Sequence, residues 1–339
     1  MEVAPGTATS IKVTVEDSSQ VGESRRVAAT LVREMPFDDV KRGNVALVVT
    51  ELASNLVSHA GGGEIVLNVL NDGQVRGIEI ISIDKGPGIR DINKSSADGY
   101  STAGTAGNGL GAIKRLSTEF DVYSPTNRGL IVFSRIYDCD RPKRAIHARG
   151  ICLPMRGETQ CGDTWSLLST ANGARISVAD GLGHGPAAHD AAASAVEGIA
   201  RSLGATPEEA LDHAHEAARG TRGCVMAVAD IALSAGDVQY AAIGNISATI
   251  VDGPKLVSMA SMNGTIGLTG HKPRGFQYPW SESAILIMHS DGLQTNWQLS
   301  NYRGLANRDP IIIAAVLYRD FDRRRDDVTV IVAKQPGNH

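Results

Sequence analysis

Four aspartates in the second half of the sequence stand at the ends of strand-like patterns, three of them beside glycines. They occur in "QCGDTW", "VADGLGHG", "MHSDGL" and "RRDDVTV", as Asp163, Asp180, Asp291 and Asp326. Carboxylate oxygens are the ligands that hard divalent cations prefer, and carboxylates from several strands can hold two ions together. A single aspartate in such a place is more often a turn residue. Four of them in this order, with their flanking motifs, favour a divalent-metal centre.

A polar row lies on a helical stretch in the first half. In "NVALVVTELASNLVSHA", Glu51 and Asn55 are four residues apart and therefore share a helix face, which His59 continues. A carboxylate, an amide and an imidazole in a row could line a pocket. A solvated polar face is the ordinary alternative for such a helix.

Two glycine-containing stretches follow that helix. Asp84 ends the strand pattern of "IEIISIDKGPGI", where Gly86 and Gly88 would let the backbone approach a flat ring, although an ordinary Pro-Gly turn has the same letters. Three more glycines precede a helix in "AGNGLGAIKRL", namely Gly107, Gly109 and Gly111. Their spacing differs from the dinucleotide fingerprint, and the Gly-Lys-Ser/Thr of a P-loop is absent. We interpret the stretch as a mobile lid before an anion-favouring helix N-terminus, with a plain flexible loop as the alternative.

The elements that must position these residues fall into two groups. The first half alternates strand and helix patterns, and the second has many short strand patterns with helical stretches at about 186–203 and 207–219. Mostly antiparallel strands with outer helices are typical of a sheet-on-sheet core. The charged, Pro-containing stretch "DCDRPKRAIHARG" separates the halves. We therefore expect domains at 1–137 and 147–335, joined by a linker at 138–146.

Composition excludes several classes of function. The chain has 339 residues, a formal net charge of −4 and 4% aromatic residues, so neither a basic field nor stacking platforms for nucleic acid are expected. The four cysteines form no C-x-x-C pair, which gives no signal for a zinc site or a disulfide framework. No apolar run reaches the roughly 18 residues of a membrane span, and the N-terminus lacks a signal-peptide core. We expect a cytoplasmic protein.

The order of motifs in the first half carries a resemblance. A helix with Glu-x-x-x-Asn, then Asp-x-Gly-x-Gly after a strand, then G-x-G-x-G before a helix resembles the ATP-binding domain of histidine kinases, gyrase and related ATPases. Within that superfamily, "ELASNLVSHAGGG", "DKGPGI" and "DGYSTAGTAGNGLGAIKRLSTEFDVYS" look most like the RsbT-like serine kinases of bacterial sigma-factor partner switching. The resemblance covers nearly all of residues 8–137 and implies an α/β sandwich.

The same resemblance implies roles for the candidate residues. Asn55 would ligate a Mg²⁺ that bridges the ATP phosphates. Glu51 would act as a general base or polarise the attacking serine hydroxyl. Asp84 would accept from the adenine amino group. The glycines would shape the adenine pocket (Gly86, Gly88) and the phosphate lid (Gly107, Gly109, Gly111). One departure concerns a Gly-Thr pair of the relatives, whose Thr touches the adenine site, because this chain has Gly129-Leu130 instead.

Seven ordered motifs in the second half resemble another family. The series "GD…DGLGHG…TRGCVMAVADI…IGNISATIV…NGTIG…SDGL…DDVTVIV" is similar to the metal-dependent serine/threonine phosphatases, in their SpoIIE-like and RsbX-like branch, over about residues 146–335. This implies an α-β-β-α sandwich with two Mn²⁺ or Mg²⁺ ions that activate a water. Asp180 would bridge the ions, with further ligands from the Gly181 carbonyl, Asp163, Asp291 and Asp326.

Two positions within that match concern a metal ligand and a proposed acid. In "DDVT" the first aspartate matches the family ligand, so Asp326 is preferred to Asp327. Larger relatives carry a proposed general-acid histidine two residues after the bridging aspartate, where this chain has Leu182. His184 is therefore not assigned as an acid.

Together the two resemblances imply an α+β protein of the partner-switching type. The first domain would phosphorylate a small STAS-domain regulator, or bind it to release a downstream effector, and the second would remove phosphate from the same or a related protein. An alternative is that the first domain is an ATP-binding regulatory or sequestering module without kinase activity. A scaffold with two relic sites is disfavoured, because the metal-type aspartates are retained.

Overall fold

The computed structural model describes residues 10–71, 75–89, 109–125, 127–139, 144–202, 204–268 and 272–337. Its contacts divide the chain into two compact units. The amino-terminal unit contains the described residues between 10 and 142 together with Asn301–Arg319, and the carboxy-terminal unit contains the described residues of 143–300 and 320–339. The segment Asn301–Arg319 lies in the second half of the sequence but makes its contacts in the amino-terminal unit.

The amino-terminal unit is built on one antiparallel sheet with the strand order β1-β2-β3-β5-β4. Its strands are β1 (Ser10–Val15), β2 (Gly63–Asn71), β3 (Arg76–Ile83), β4 (Glu119–Tyr123) and β5 (Ile131–Tyr137). Side chains alternate between the two faces of a strand. The first face carries the apolar core, with Val13, Ile65, Ile80 and Val132 in the same cluster.

Three helices contribute to that core. They are α1 (Ser18–Arg33), α2 (Asp39–Asn55) and α3 (Gly109–Leu116). Asp17 and Gln20 form a capping box at the start of α1, and Asp38 caps α2. The helix expected at 44–60 begins earlier, and its last turn, Leu56–Ala60, is π-helical and ends at Gly61. A π-helical turn is frequent at functional sites.

The second face of this sheet is covered by the segment Asn301–Arg319. A cross-strand row on this face consists of Asn68, Glu79, Arg135 and Glu119. Arg135 donates to both carboxylate oxygens of Asp309, at 2.8 and 2.6 Å. Further contacts come from Tyr318 to Glu64, Arg308 to Asp121 and Tyr123 to the Arg303 carbonyl. The segment is thus part of the amino-terminal unit.

The carboxy-terminal unit contains two five-stranded sheets that share one core. The first has the order β13-β10-β9-β8-β7 and the second the order β12-β11-β14-β15-β6. Side chains from both sheets, such as Ile176, Tyr240, Leu286 and Ile331, belong to one buried cluster. The strands are β6 (His147–Leu153), β7 (Asp163–Thr170), β8 (Gly173–Gly181), β9 (Cys224–Ala232), β10 (Asp237–Ile243), β11 (Ser247–Asp252), β12 (Lys255–Ser258), β13 (Gly275–Pro279), β14 (Ile285–His289) and β15 (Val328–Lys334).

Helices complete the unit. Helices α4 (Pro186–Ala200) and α5 (Pro207–Ala217) pack on the outer face of the first sheet, where Ala192 and Val196 meet Met226 and Val228 in a second cluster. Helix α6 (Pro310–Phe321) has buried residues on every side, and ten of its residues lie in the segment Asn301–Arg319. The mixed helix-and-sheet class expected from the sequence is confirmed. In the described part of the chain, no helix is both long and apolar enough to cross a bilayer.

Candidate functional sites

Strand ends from both sheets of the carboxy-terminal unit carry the four aspartates. Asp163 opens β7 and pairs directly with Asp180 near the end of β8. Asp291 follows the end of β14, and Asp326 precedes the start of β15. The negative charges of Asp163, Asp291 and Asp326 all raise the pKa of the Asp180 carboxyl.

Desolvation is the main cause of the raised pKa values of Asp163 and Asp180. It raises the pKa of Asp180 to about 9, with the negative charges of Asp163 and Asp291 adding to the effect. It also raises the pKa of Asp163 to about 7, helped by Asp327 and Asp326. The Oδ2 atom of Asp163 is buried without a hydrogen-bond partner. Buried carboxylates that repel one another are a donor set that a divalent cation would neutralise, so these residues fit such an ion.

The carboxylates of Asp291 and Asp326 accept hydrogen bonds from other groups. Asn245 Nδ2 donates to Asp291 Oδ2 at 2.8 Å. Asp326 is exposed, and its Oδ1 accepts from the Asp327 backbone N–H at 2.9 Å. No three His, Cys, Asp or Glu side chains in the described residues are already arranged to hold a metal ion.

Asp327 has a different position from its neighbour. It is buried, and its two carboxylate oxygens accept the backbone N–H groups of Met155 and Gly162 at 2.7 and 2.8 Å. These bonds attach the start of β15 to the loop before β7. Both oxygens of Asp327 are thus engaged by the main chain, and Asp326 remains the ligand that the sequence predicts.

The turn after Asp180 is shaped by close packing. A Cβ on Gly181 would lie 2.0 Å from the Ala188 carbonyl oxygen, so only glycine fits there. Leu182 is partly exposed. His184 Nδ1 is 2.7 Å from Glu158 Oε1, and the sequence did not predict this exposed pair. This contact gives His184 a role in holding the turn.

In the amino-terminal unit, helix α3 begins against the polar row of α2. A Cβ built on Gly109 would lie 3.6 Å from Glu51 Oε2 and 3.7 Å from Asn55 Nδ2. These are ordinary van der Waals distances, so the start of α3 lies directly beside both polar groups. Gly111 is buried within α3, whereas Gly107 lies outside the described residues. His59 is exposed on the π-helical turn.

Asp84 is the centre of a second cluster. Its Oδ1 accepts the backbone N–H groups of Gly86 at 2.8 Å and Leu130 at 3.1 Å. Its own N–H donates to the Leu130 carbonyl at 3.0 Å. Burial raises the pKa of the Asp84 carboxyl, and the two backbone donors and Arg319 oppose this. Gly86 lies against Ala60, since a Cβ there would be 2.8 Å from the Ala60 Cα.

Two glycines with positive φ allow this cluster to close. Gly129 has φ +80°, and a Cβ there would lie 2.0 Å from the Asp84 carbonyl oxygen. Gly88 has φ +71° and lies against Ser124, whose Oγ accepts the Ile89 N–H at 2.7 Å. The Leu130 side chain packs against the apolar core while its backbone serves Asp84. The Gly129-Leu130 pair therefore contributes main-chain contacts to the site.

Four residues of these sites were missed from the sequence. Asn245 stands in "IGNISATIV", so its motif could have indicated it. From the sequence, Gly129 belonged only to a pair that departs from the relatives' Gly-Thr, and Asp327 was the aspartate not chosen as a ligand. Their structural roles were not predicted. Arg319 had no local signal, because 235 positions separate it from Asp84.

Comparisons with known proteins match both halves of the chain. Residues 14–135 match the histidine kinase-like ATPase domain family, and residues 170–336 match the family of stage II sporulation protein E, SpoIIE. Serine/threonine-protein kinase RsbT of Bacillus subtilis strain 168 is 37% identical over 106 residues, which are 31% of this chain and 80% of RsbT. The chain joins a histidine kinase-like ATPase domain to a SpoIIE-type phosphatase domain.

The phosphatase domain has relatives of its own. Phosphoserine phosphatase RsbX of Bacillus subtilis strain 168 is 23% identical over 185 residues, covering 54% of this chain and 91% of RsbX. A crystal structure of RsbX in complex with magnesium superposes with a TM-score of 0.52 at 18% identity, covering 58% of this chain and 98% of that one. This likeness shows the shared fold.

Proposed function

We propose that the protein is a bifunctional regulator in a bacterial partner-switching pathway of sigma-factor or stress signalling. Its phosphatase domain, at 147–335, would remove phosphate from phosphoserine or phosphothreonine. Its ATPase domain, at 1–137, would phosphorylate serine or threonine with ATP. Both would act on small STAS-domain proteins. The names of the relatives, a serine/threonine-protein kinase and a phosphoserine phosphatase, support this pairing of activities.

The direct pairing of the buried Asp163 with the partly exposed Asp180 on neighbouring strands is the observation that carries the proposal. These residues, with Asp291, Asp326 and the Gly181 carbonyl, would hold two Mn²⁺ or Mg²⁺ ions. RsbX, a relative of this domain, has been solved with magnesium, which supports the choice of a divalent metal. Bound ions would supply Lewis-acid activation of water. The protein's own part is to hold several carboxylates at strand ends, with Asp327 and Asn245 fixing the loops around them.

The ATPase domain would use the two clusters around α2 and β3. Glu51 would accept the proton of the substrate hydroxyl, and Asn55 would hold Mg²⁺ on the ATP phosphates. The start of α3 at Gly109 lies beside both residues, and the free N–H groups of a helix N-terminus favour anions, which supports a phosphate position there. Asp84 would accept from the adenine amino group. Its two backbone N–H donors, from Gly86 and Leu130, hold Oδ1 and support this role.

Release of phosphate from a phosphorylated STAS protein in the presence of Mn²⁺ tests the phosphatase. We expect Asp180→Asn to lower the rate by at least about 100-fold, because metal activation contributes several kcal/mol. Asp212→Asn is the matched control, since Asp212 is an exposed aspartate on α5. If Asp180→Asn and Asp212→Asn released phosphate equally fast, the assignment would be wrong.

One observation favours a second candidate for the ATPase domain, a nucleotide-binding module without kinase activity. Leu130 packs its side chain into the core, so the hydroxyl that relatives place near adenine is missing. Transfer of labelled γ-phosphate to the STAS protein, compared with Glu51→Ala, distinguishes the two candidates. ATP binding without transfer would favour the module, and transfer that Glu51→Ala abolishes would favour the kinase.

A further inference from the structure

Helix α6 places the cation of Arg319 beside the cluster around Asp84 in the amino-terminal unit. Arg319 Nη1 donates to the backbone carbonyl oxygen of Asp84 at 3.5 Å. Arg319 is only 7% exposed. The same carbonyl oxygen is the atom that a side chain at Gly129 would strike. A buried guanidinium therefore lies beside the main chain of the residue that is expected to recognise adenine.

The contact is held by its surroundings. Tyr318, the neighbour of Arg319, donates its hydroxyl hydrogen to Glu64 Oε2 at 2.9 Å. At the start of the same helix, Asp309 is paired with the buried Arg135. The helix is thus anchored to the sheet at both ends of its length within the amino-terminal unit. Arg319 is fixed in place by these anchors.

The charge of Arg319 has the sign that a carboxylate acceptor needs. Burial favours the neutral form of the Asp84 carboxyl, and the positive charge of Arg319 opposes this by lowering its pKa. An ionised carboxylate is the stronger acceptor for an amino group. The contact with the Asp84 carbonyl and the positive charge of Arg319 therefore both favour Asp84 as an acceptor.

We propose that Arg319 is a positioning residue of the nucleotide site, holding the Asp84 main chain in the place from which its carboxylate selects adenine. The proposal rests on the proposed nucleotide site in the ATPase domain. It means that a residue from the second half of the sequence helps to determine base selectivity in the first half.

Binding of ATP and GTP to the full-length protein, measured by titration calorimetry, tests the proposal. We expect Arg319→Gln to weaken ATP binding about tenfold while GTP binding changes little, since GTP has no amino group at that position of the ring to offer Asp84. Arg319→Lys keeps the charge and should recover part of the loss. Arg308→Gln is the matched control, because it breaks another ion pair of the same segment, with Asp121.

The possible outcomes separate this proposal from the one on which it rests. Wild-type ATP affinity and ATP-over-GTP preference in both Arg319 variants would overturn it and leave the nucleotide site standing. An equal loss for ATP and GTP, with a lowered melting temperature, would also overturn it in favour of a purely structural role. If the wild-type protein bound no ATP, the nucleotide site itself would be refuted and this proposal with it.

Discussion

At the scale of single residues, the paired carboxyls of Asp163 and Asp180 have strongly raised pKa values. Their folded-state pKa values, about 7 and about 9, lie above the ordinary value of 3.8. A carboxyl with a raised folded pKa favours the folded state below its unfolded pKa and loses that contribution as the pH rises through its folded pKa. The metal-free protein should therefore lose stability from about pH 4 to about pH 9 through this pair.

Thermal unfolding at several pH values checks this expectation. In the presence of a chelator, we expect the melting temperature to fall between about pH 4 and about pH 9, because both carboxyls must ionise without a counter-ion. Mn²⁺ should raise it more at the higher pH, since bound ions neutralise the carboxylates. Asp180→Asn should flatten the chelator curve. Identical pH dependence in the wild type and in Asp180→Asn would contradict the expectation.

Gly129 gives a second prediction at this scale. Gly129→Ala adds a Cβ 2.0 Å from the Asp84 carbonyl oxygen at φ +80°. We expect it to lower stability by roughly 1–3 kcal/mol from backbone strain alone, with the clash adding to this, and to abolish ATP binding. Chemical unfolding and ATP titration measure the two effects.

The control for Gly129→Ala is Gly220→Ala. Gly220 has φ +82° and nothing within 4 Å of an added Cβ, so it has the same strain without the clash. If both variants kept ATP binding, the close approach of Gly129 to Asp84 would not matter for the site.

At the scale of elements, the second face of the amino-terminal sheet is stabilised by a buried ion cluster. Arg135 is paired with Glu79, Glu119 and Asp309, and Arg135 and Glu79 are almost completely buried. Removing one member of such a cluster leaves the others as uncompensated buried charges. The attachment of α6 to the sheet therefore depends on the Arg135 side chain, which all three carboxylates share.

Arg135→Met tests this cluster. We expect it to destabilise the amino-terminal unit by about 3–5 kcal/mol, measured as faster hydrogen exchange of the β3 and β5 amides. Arg308→Gln, which removes the partly exposed pair with Asp121, should cost about 1 kcal/mol or less. Equal exchange in both variants would show that the buried cluster contributes no more than a surface pair.

The same cluster explains what the sequence could predict. Strands β2, β3 and β5 and helix α2 follow from local apolar periodicity, and the same strand patterns predict that the four aspartates lie at strand ends. Glu79 in "RGIEIISI" has the local pattern of an exposed strand residue. It is instead 0% exposed, because Arg135 and Asp309 come from 56 and 230 positions further along the chain. Periodicity reports only which face a side chain is on, and the partner that covers a face is set by tertiary structure.

At the scale of the whole molecule, the amino-terminal unit is not one continuous stretch of chain. A fragment of residues 1–142 would lack Asn301–Arg319 and leave Arg135 without Asp309. We expect it to melt at a lower temperature than the same fragment linked to residues 301–319, and to self-associate through the uncovered sheet face. Thermal unfolding and sedimentation measure these two properties. Equal melting temperatures and a monomeric fragment would contradict this view.

The order of synthesis follows from this discontinuous unit. The sheet strands of the ATPase domain leave the ribosome first, but the segment that covers them, Asn301–Arg319, is made roughly 180 residues later, a delay of about 10–40 s at ordinary translation rates. During that interval most of the phosphatase domain has already been made. A growing chain therefore completes its ATPase domain only after it has made most of its phosphatase, including Asp163, Asp180 and Asp291.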